Sequence, residues 1–94
     1  MNKYESVVII NPGLEDTAIK ALLQKFTDLI NTDGKVKSVN EMGMRKLAYE
    51  IQKQKEGYYA VISFEAKPSL IAELERVYRI TDTVLKFIVV RKED

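Results

Sequence analysis

Two hydrophobic periodicities alternate along this chain, and their order limits the folds that it can adopt. Apolar residues recur at helical spacing in two segments, about residues 15–32 and 68–80, and each set forms one apolar stripe. Four other segments are rich in β-branched and aromatic residues, which favour strands. These extended segments are residues 4–10, 35–52, 58–66 and 83–92. The predicted order is therefore strand, helix, strand, strand, helix, strand.

The length of the chain limits how these six elements combine. With 94 residues, the chain has room for one hydrophobic core, so we expect a single domain over residues 1–94. Two consecutive strand–helix–strand units pack most compactly as a four-stranded antiparallel sheet with both helices on one face. We predict an α+β fold of the ferredoxin-like βαββαβ type, in which no helix covers the opposite face of the sheet.

Glycine, proline and polar residues indicate where the elements end. Residues 11–13, Asn-Pro-Gly, end the first strand, because proline and glycine do not continue a ladder. Gly34 is expected to end the first helix in a left-handed conformation. Gly43 is expected to mark a bulge in the long second strand. The polar residues 53–57 are expected to form the turn into the third strand.

Side-chain alternation assigns residues to the core and to the open face of the sheet. The face of the third strand that carries no charge is assigned to the core, and Tyr59 falls on the opposite face. The core residues of this strand are Tyr58, Ala60, Ile62 and Phe64. The two helical stripes are Ile19, Leu22, Leu23, Phe26 and Ile30, and Leu70, Ile71, Leu74, Val77 and Tyr78.

Five apolar residues are predicted to lie on the open face, where nothing from the helices covers them. A contiguous exposed apolar patch marks a site of interaction, so we expect these residues to contact a partner protein. They are Val7, Ile9, Val61, Ile88 and Val90. Burial in a self-dimer, or under long neighbouring side chains, would satisfy the same pattern.

The residue types that carry most enzyme chemistry are missing. The sequence contains no cysteine and no histidine, which removes the thiolate nucleophile and the commonest general base and metal ligand. The loop at residues 11–14 has one glycine and a proline, which is a weak pattern for cradling phosphate. We therefore expect no catalytic residues, no cofactor and no metal site.

The longest apolar runs are far shorter than the roughly 20 residues that a membrane helix needs. Residues 1–5 do not resemble a signal peptide. We expect a cytoplasmic protein with no membrane partner.

The charges nearly balance over the chain but not within it. Fifteen basic and 14 acidic side chains give a net charge of +1, which argues against a non-specific nucleic-acid coat protein. Between Gly43 and Lys55, however, four cations face a single anion, Glu50. Arginine and lysine in such a cluster can contact phosphate oxygens, and arginine can also stack on a base.

The same segment carries a specific motif. Residues 43–51, Gly-Met-Arg-Lys-Leu-Ala-Tyr-Glu-Ile, resemble the signature of the bacterial small ribosomal subunit protein six family. Other stretches match the family in order along nearly the whole chain. They are Lys3-Tyr4-Glu5, Asn11-Pro12, Gly57-Tyr58, Arg79-Ile80 with Asp82, and Val89-Val90-Arg91. Met42 and Glu50 depart from the family pattern, and neither substitution removes a cation.

This resemblance implies a structural component of the bacterial small ribosomal subunit rather than an enzyme. Members of the family bind small-subunit ribosomal RNA together with the eighteenth small-subunit ribosomal protein, in the cytoplasmic ribosome. We expect phosphate contacts from Arg45, Lys46, Lys3 and Arg91, and a ribose or base contact from Tyr4 or Tyr59. We expect Lys3 and Tyr4 at the rim of the first strand, Arg45 and Lys46 on opposite faces of the second strand if no bulge intervenes, and Lys53 and Lys55 flanking the hairpin tip. The full set of candidate RNA-binding residues is Lys3, Tyr4, Arg45, Lys46, Lys53, Lys55, Tyr59, Arg79, Lys86 and Arg91.

An alternative from a different class fits the same fold. Ferredoxin-like domains also occur as homo-oligomeric regulatory or ligand-binding domains, whose open faces pair around a small molecule. Such a domain would lack the Arg45-Lys46 strip and would have a glycine-lined pocket, whereas the four glycines here lie at predicted turns or at the suspected bulge. Self-association of the isolated chain remains compatible with both hypotheses.

Overall fold

The computed structural model describes residues 1–92, and its elements follow the predicted order. The predicted domain boundary at residue 94 lies outside the described residues. The strands are β1 (Asn2–Ile10), β2 (Gly34–Ile51), β3 (Gln54–Ala66) and β4 (Val84–Lys92), and the helices are α1 (Asp16–Asn31) and α2 (Pro68–Ile80). The βαββαβ prediction is confirmed.

All four strands form one antiparallel sheet in the order β2-β3-β1-β4. Strand β1 is central, and its residues 2–10 pair with residues 58–66 of β3 on one side. Residues 3–10 of β1 pair with β4 on the other side, with one register shift between Ile9 and Ile10. Strands β2 and β4 therefore form the two edges of the sheet.

Both helices pack on one face of this sheet, as predicted. Alternate residues of β1 and β3 point towards the helices and are fully or almost fully buried. The helices contribute the buried residues Ile19, Leu23, Phe26 and Ile30 from α1, and Leu70, Leu74, Val77 and Tyr78 from α2. Three of the residues assigned to the core, Leu22, Tyr58 and Ile71, are partly buried and pack against this cluster. Neither helix is long and apolar enough, over the described residues, to cross a membrane.

The predicted bulge at Gly43 is confirmed. The register between β2 and β3 shifts between Glu41 and Gly43, and Gly43 has a φ of 82°. This left-handed conformation is one that glycine adopts without the steric cost that a Cβ brings.

Two boundary predictions are wrong. Gly34 does not adopt a left-handed conformation; instead Thr32 caps α1, and its hydroxyl donates to the Leu29 carbonyl at 2.6 Å. Glycine at position 34 allows the start of β2 to lie close to β3, because a Cβ there would overlap the Glu65 carbonyl of β3. The turn between β2 and β3 is also shorter than residues 53–57, since β3 already begins at Gln54.

The hairpin turn consists of Gln52 and Lys53. Their φ values are 50° and 66°, so both residues are left-handed although neither is glycine. Two consecutive left-handed residues match the right-handed twist of a hairpin and allow a two-residue connection.

Candidate nucleic-acid and protein interface

An apolar patch occupies the centre of the sheet face that the helices leave open. Val7 pairs with Val61 on one side and with Ile88 on the other, and Val90 follows Ile88 on the same face. Val7 and Val61 are half-buried, whereas Ile88 and Val90 are 47% and 49% exposed. These four residues, the apolar patch, lie where the sequence places them.

Ile9 is the exception among the predicted interface residues. It points to the open face, but it is only 7% exposed. Its Cγ2 packs on the backbone of Gly57, where a Cβ would overlap it, and Leu47 lies beside the same position. The expectation that Ile9 is uncovered is therefore wrong, because the part of β2 and β3 that extends past the end of β1 covers it.

That covering part is the distal half of the β2–β3 hairpin, residues 45–57. The ladder between β1 and β3 ends at the pair Ile10 and Tyr58, so the hairpin beyond it projects past the end of β1. Within this distal hairpin, Arg45 pairs with Gly57, and Ile51 pairs with Gln54 next to the turn.

Four cations lie on the distal hairpin, and all four are exposed. They are Arg45, Lys46, Lys53 and Lys55. None of them makes an ion pair or a side-chain hydrogen bond with residues 1–92. Arg45 and Lys46 pair with the adjacent residues Gly57 and Glu56, so they point to opposite sides of the hairpin, as expected. Lys53 does not flank the turn but forms part of it.

Many of the other cations are held by carboxylates within the protein. On the open face, Lys92 lies 3.4 Å from Glu5, and Lys37 lies 3.6 Å from Glu65. Lys3 shares this end of the open face, where it pairs with Lys92 across the ladder between β1 and β4. Within residues 1–92, Lys25, Lys35 and Lys67 also make no ion pair, but they lie apart on α1, at the start of β2 and just before α2, whereas four such cations lie together on the distal hairpin.

Three predicted RNA-binding residues lie on the helix side of the sheet instead of the open face. Tyr4 is 8% exposed and stacks on Phe64 with ring centroids 5.6 Å apart, so its ring is not free to stack on a base. The expectation that Tyr4 lies at an accessible rim is wrong. Arg91 pairs with Tyr4 in the ladder, and its guanidinium donates to the Asn2 side chain at 3.3 Å.

The third of these residues is Arg79, which projects from α2. Its guanidinium carbon lies 5.9 Å from the centroid of the Phe87 ring and its Nη2 lies 3.7 Å from Glu75. These contacts hold Arg79 near β4 in the helix layer, which lies on the other side of the sheet from the apolar patch.

Lys86 lies on the open face next to the apolar patch and contacts the distal hairpin. Its Nζ donates to the Tyr49 hydroxyl at 2.7 Å and lies 5.3 Å from the centroid of the Tyr49 ring. This hydrogen bond raises the pKa of Lys86. Tyr59 points to the same face, and Ile9 lies between Tyr59 and Lys86 in the strand register. Sequence reasoning missed Tyr49, although its place in the Leu-Ala-Tyr motif was a signal.

No group of three or more acidic, cysteine or histidine side chains in residues 1–92 is arranged to hold a metal ion. The open face and the distal hairpin together combine an apolar patch with a group of cations.

The family model described as ribosomal protein S6 matches residues 3–91 of this chain. The chain belongs to the ribosomal protein S6 family. The resemblance drawn from residues 43–51 is therefore confirmed.

Curated S6 relatives match along nearly the whole chain. Small ribosomal subunit protein bS6 of Clostridium novyi is 51% identical over 94 residues, which cover 99% of each protein. The bS6 protein of Helicobacter hepaticus is 50% identical over 94 residues, which cover 99% of this chain and 69% of that longer protein.

A solved S6 structure has the same fold. The 30S ribosomal protein S6 of Thermotoga maritima superposes with a TM-score of 0.92 at 36% identity, covering 97% of this chain and 87% of that one. A protein from Arabidopsis thaliana superposes with a TM-score of 0.58 at 16% identity, which shows a shared fold alone.

Proposed function

We propose that this S6 family member is a structural, non-catalytic component of the bacterial small ribosomal subunit. It binds small-subunit ribosomal RNA together with the eighteenth small-subunit ribosomal protein, and the chain acts as one domain in the cytoplasmic ribosome. Family membership supports the ribosomal role, and the separation of charge from apolar surface supports the two kinds of partner.

The unpaired cations of the distal hairpin are the observation that supports RNA binding. A cation already held by a carboxylate must give up that contact before it binds phosphate, whereas a free cation only releases counterions from the RNA. Arg45, Lys46, Lys53 and Lys55 are free in this sense, in contrast to Lys37 and Lys92. The distal hairpin therefore supplies the phosphate contacts, with Tyr59 nearby on the open face, whereas Lys3 lies at the opposite end of β1.

The apolar patch is the observation that supports binding of a partner protein. Phosphate and ribose do not favour contact with exposed aliphatic side chains, whereas a protein partner gains the free energy of removing them from water. Ile88 and Val90 are the most exposed members of the patch. The patch and the distal hairpin are joined through Ile9, so a protein and an RNA bound at the two sites would also lie side by side.

The test is a titration of a small-subunit ribosomal RNA fragment from the central domain, with and without the eighteenth protein, at two salt concentrations. We expect binding that weakens with salt and that strengthens when the partner is present. An absence of binding under all four conditions would overturn the RNA assignment. Binding that the partner leaves unchanged would overturn the joint site.

A self-associating regulatory domain is the competing function, and the apolar patch alone also fits it. Sedimentation of a cell extract separates the two. The ribosomal proposal predicts the chain in the small-subunit fraction, while a regulatory domain would sediment as a free oligomer.

A further inference from the structure

The contact between Lys86 and Tyr49 joins the two opposite edges of the sheet. Tyr49 belongs to β2 and Lys86 to β4, and strands β3 and β1 lie between them. Three inter-strand spacings of about 4.8 Å separate the backbones of such edges by roughly 14 Å in a flat sheet. Tyr49 is also offset from Lys86 along the strands, because Lys86 pairs with Ile9, whereas Tyr49 lies beyond the Arg45–Gly57 pair, past the end of β1. The contact of 2.7 Å between the two side-chain ends therefore requires the distal hairpin to lean across the end of the open face.

Two further observations show that the hairpin is seated there. Gly57 is buried against Ile9, and no side chain larger than glycine fits between them. Gln52, at the turn, lies at the end of the sheet, where it lines a shallow pocket with Lys86 of the open face and with helix-side residues that include Tyr78 and Val84. The hairpin is thus anchored at its base by Gly57 and further out by Tyr49.

Lys86 is exposed, and its ammonium is held by the hydroxyl oxygen of Tyr49, which accepts its hydrogen bond. Lys86 would have to give up its hydrogen bond with Tyr49 before it could bind a phosphate.

We propose that Lys86 and Tyr49 are positioning residues that hold the distal hairpin over the open face. They fix where Arg45, Lys46, Lys53 and Lys55 meet RNA, and Lys86 acts through Tyr49 rather than by contacting RNA itself. This inference rests on the proposed function of the hairpin in RNA binding.

The deciding variant is Tyr49→Phe, which removes the hydroxyl without changing any charge. We expect its dissociation constant for the central-domain RNA fragment to rise about two- to tenfold, the effect of one hydrogen bond. The slope of affinity against salt stays unchanged, because the number of phosphate contacts is the same. In the free protein, amide hydrogen exchange of residues 45–57 becomes faster by a similar factor.

The companion variant is Lys86→Met. If Lys86 positions the hairpin, this variant weakens binding without changing the salt slope, and the double variant is no weaker than either single one. If Lys86 contacts phosphate, the salt slope falls by about one and Tyr49→Phe is harmless. That second result would overturn the inference.

Two controls separate this inference from general damage and from the proposed function. Tyr58→Phe removes a hydrogen bond of similar length, 2.9 Å to Glu41, on the helix side of the sheet, and we expect it to bind RNA like the parent chain. If the parent chain itself fails to bind, the proposed function fails. If the parent chain binds and Tyr49→Phe matches it in affinity and in exchange, only the positioning role fails.

Discussion

The hydroxyl oxygens of Ser6 and Tyr78 lie 2.8 Å apart and join β1 to α2 inside the core. Both side chains are almost completely buried. The Tyr78 ring also packs edge-on against Phe26 of α1, with centroids 4.7 Å apart, and it contacts Phe87 of β4 at 5.1 Å. Tyr78 therefore connects both helices to the central strand and to one edge strand.

Removing one hydroxyl of this pair leaves the other buried without a partner. Tyr78→Phe and Ser6→Ala are each expected to lower the free energy of unfolding by about 1–3 kcal/mol. The double variant should lose much less than the sum, because neither polar group remains. Urea unfolding of the four proteins measures the coupling, and strictly additive losses would show that the hydrogen bond does not contribute.

The same tyrosine makes the stability depend on alkaline pH. Burial raises the pKa of Tyr78 to about 12, although the hydrogen bond with Ser6 opposes part of this rise, and the unfolded value is about 10. The folded protein keeps the phenolic proton longer than the unfolded chain does. Stability is therefore complete below about pH 10 and falls by roughly 2–3 kcal/mol as the pH rises to about 12.

The control for this pH dependence is Tyr78→Phe, since lysines and other tyrosines titrate in the same range. Denaturant unfolding between pH 9 and 12 should show a steeper loss for the parent chain than for the variant. Parallel curves would mean that Tyr78 is not responsible.

One substitution in the hairpin turn is expected to raise the stability of the fold and to remove a phosphate contact. Lys53 has a φ of 66°, so Lys53→Gly should raise the free energy of unfolding by about 1 kcal/mol by relieving backbone strain. The same change removes a cation, so the salt slope of RNA binding should fall by about one. Gln52→Gly is the matched control, because it relieves the neighbouring left-handed residue without removing charge. An unchanged salt slope in Lys53→Gly would show that Lys53 does not meet phosphate.

The apolar patch should matter for protein binding and little for folding. Ile88→Ala removes a side chain that is about half exposed, and we expect the partner's dissociation constant to rise about three- to tenfold. Ile80→Ala is the matched control, because Ile80 is 61% exposed on α2, away from the open face. Calorimetric titration of each variant with the eighteenth protein makes the comparison. Equal losses at both positions would refute the assignment of the interface.

The sequence predicts best where one face of an element is buried by its neighbours. The helical stripes that contain Phe26 in α1 and Leu74 in α2, and the alternation around Ile62, identify the core correctly, because the period of each pattern is the period of its element. Tyr4 follows the same alternation, since it shares a face with Val8. Its place near the start of β1 suggests an accessible rim, but the helix side of the sheet is covered there too, so Tyr4 is buried.

The distal hairpin is harder to predict, for two physical reasons. The polar residues 53–57 resemble a loop, yet residues 54–57 belong to strand β3 because β2 supplies a partner ladder. The Lys86–Tyr49 contact depends on the bend of the hairpin across the sheet, and local sequence patterns carry no information about residues that far apart in the chain. The cover over Ile9 was missed for the same reason.

Methyl NMR of the labelled protein, with the eighteenth protein and the RNA fragment added separately and then together, tests the two-partner surface most directly. We predict that the protein shifts the methyl signals of Val7, Val61, Ile88 and Val90, and that the RNA shifts those of Leu47 and Ile51 on the distal hairpin. Shifts confined to Ile71 and Ile80 on α2, or an absence of shifts with both partners present, would contradict this account.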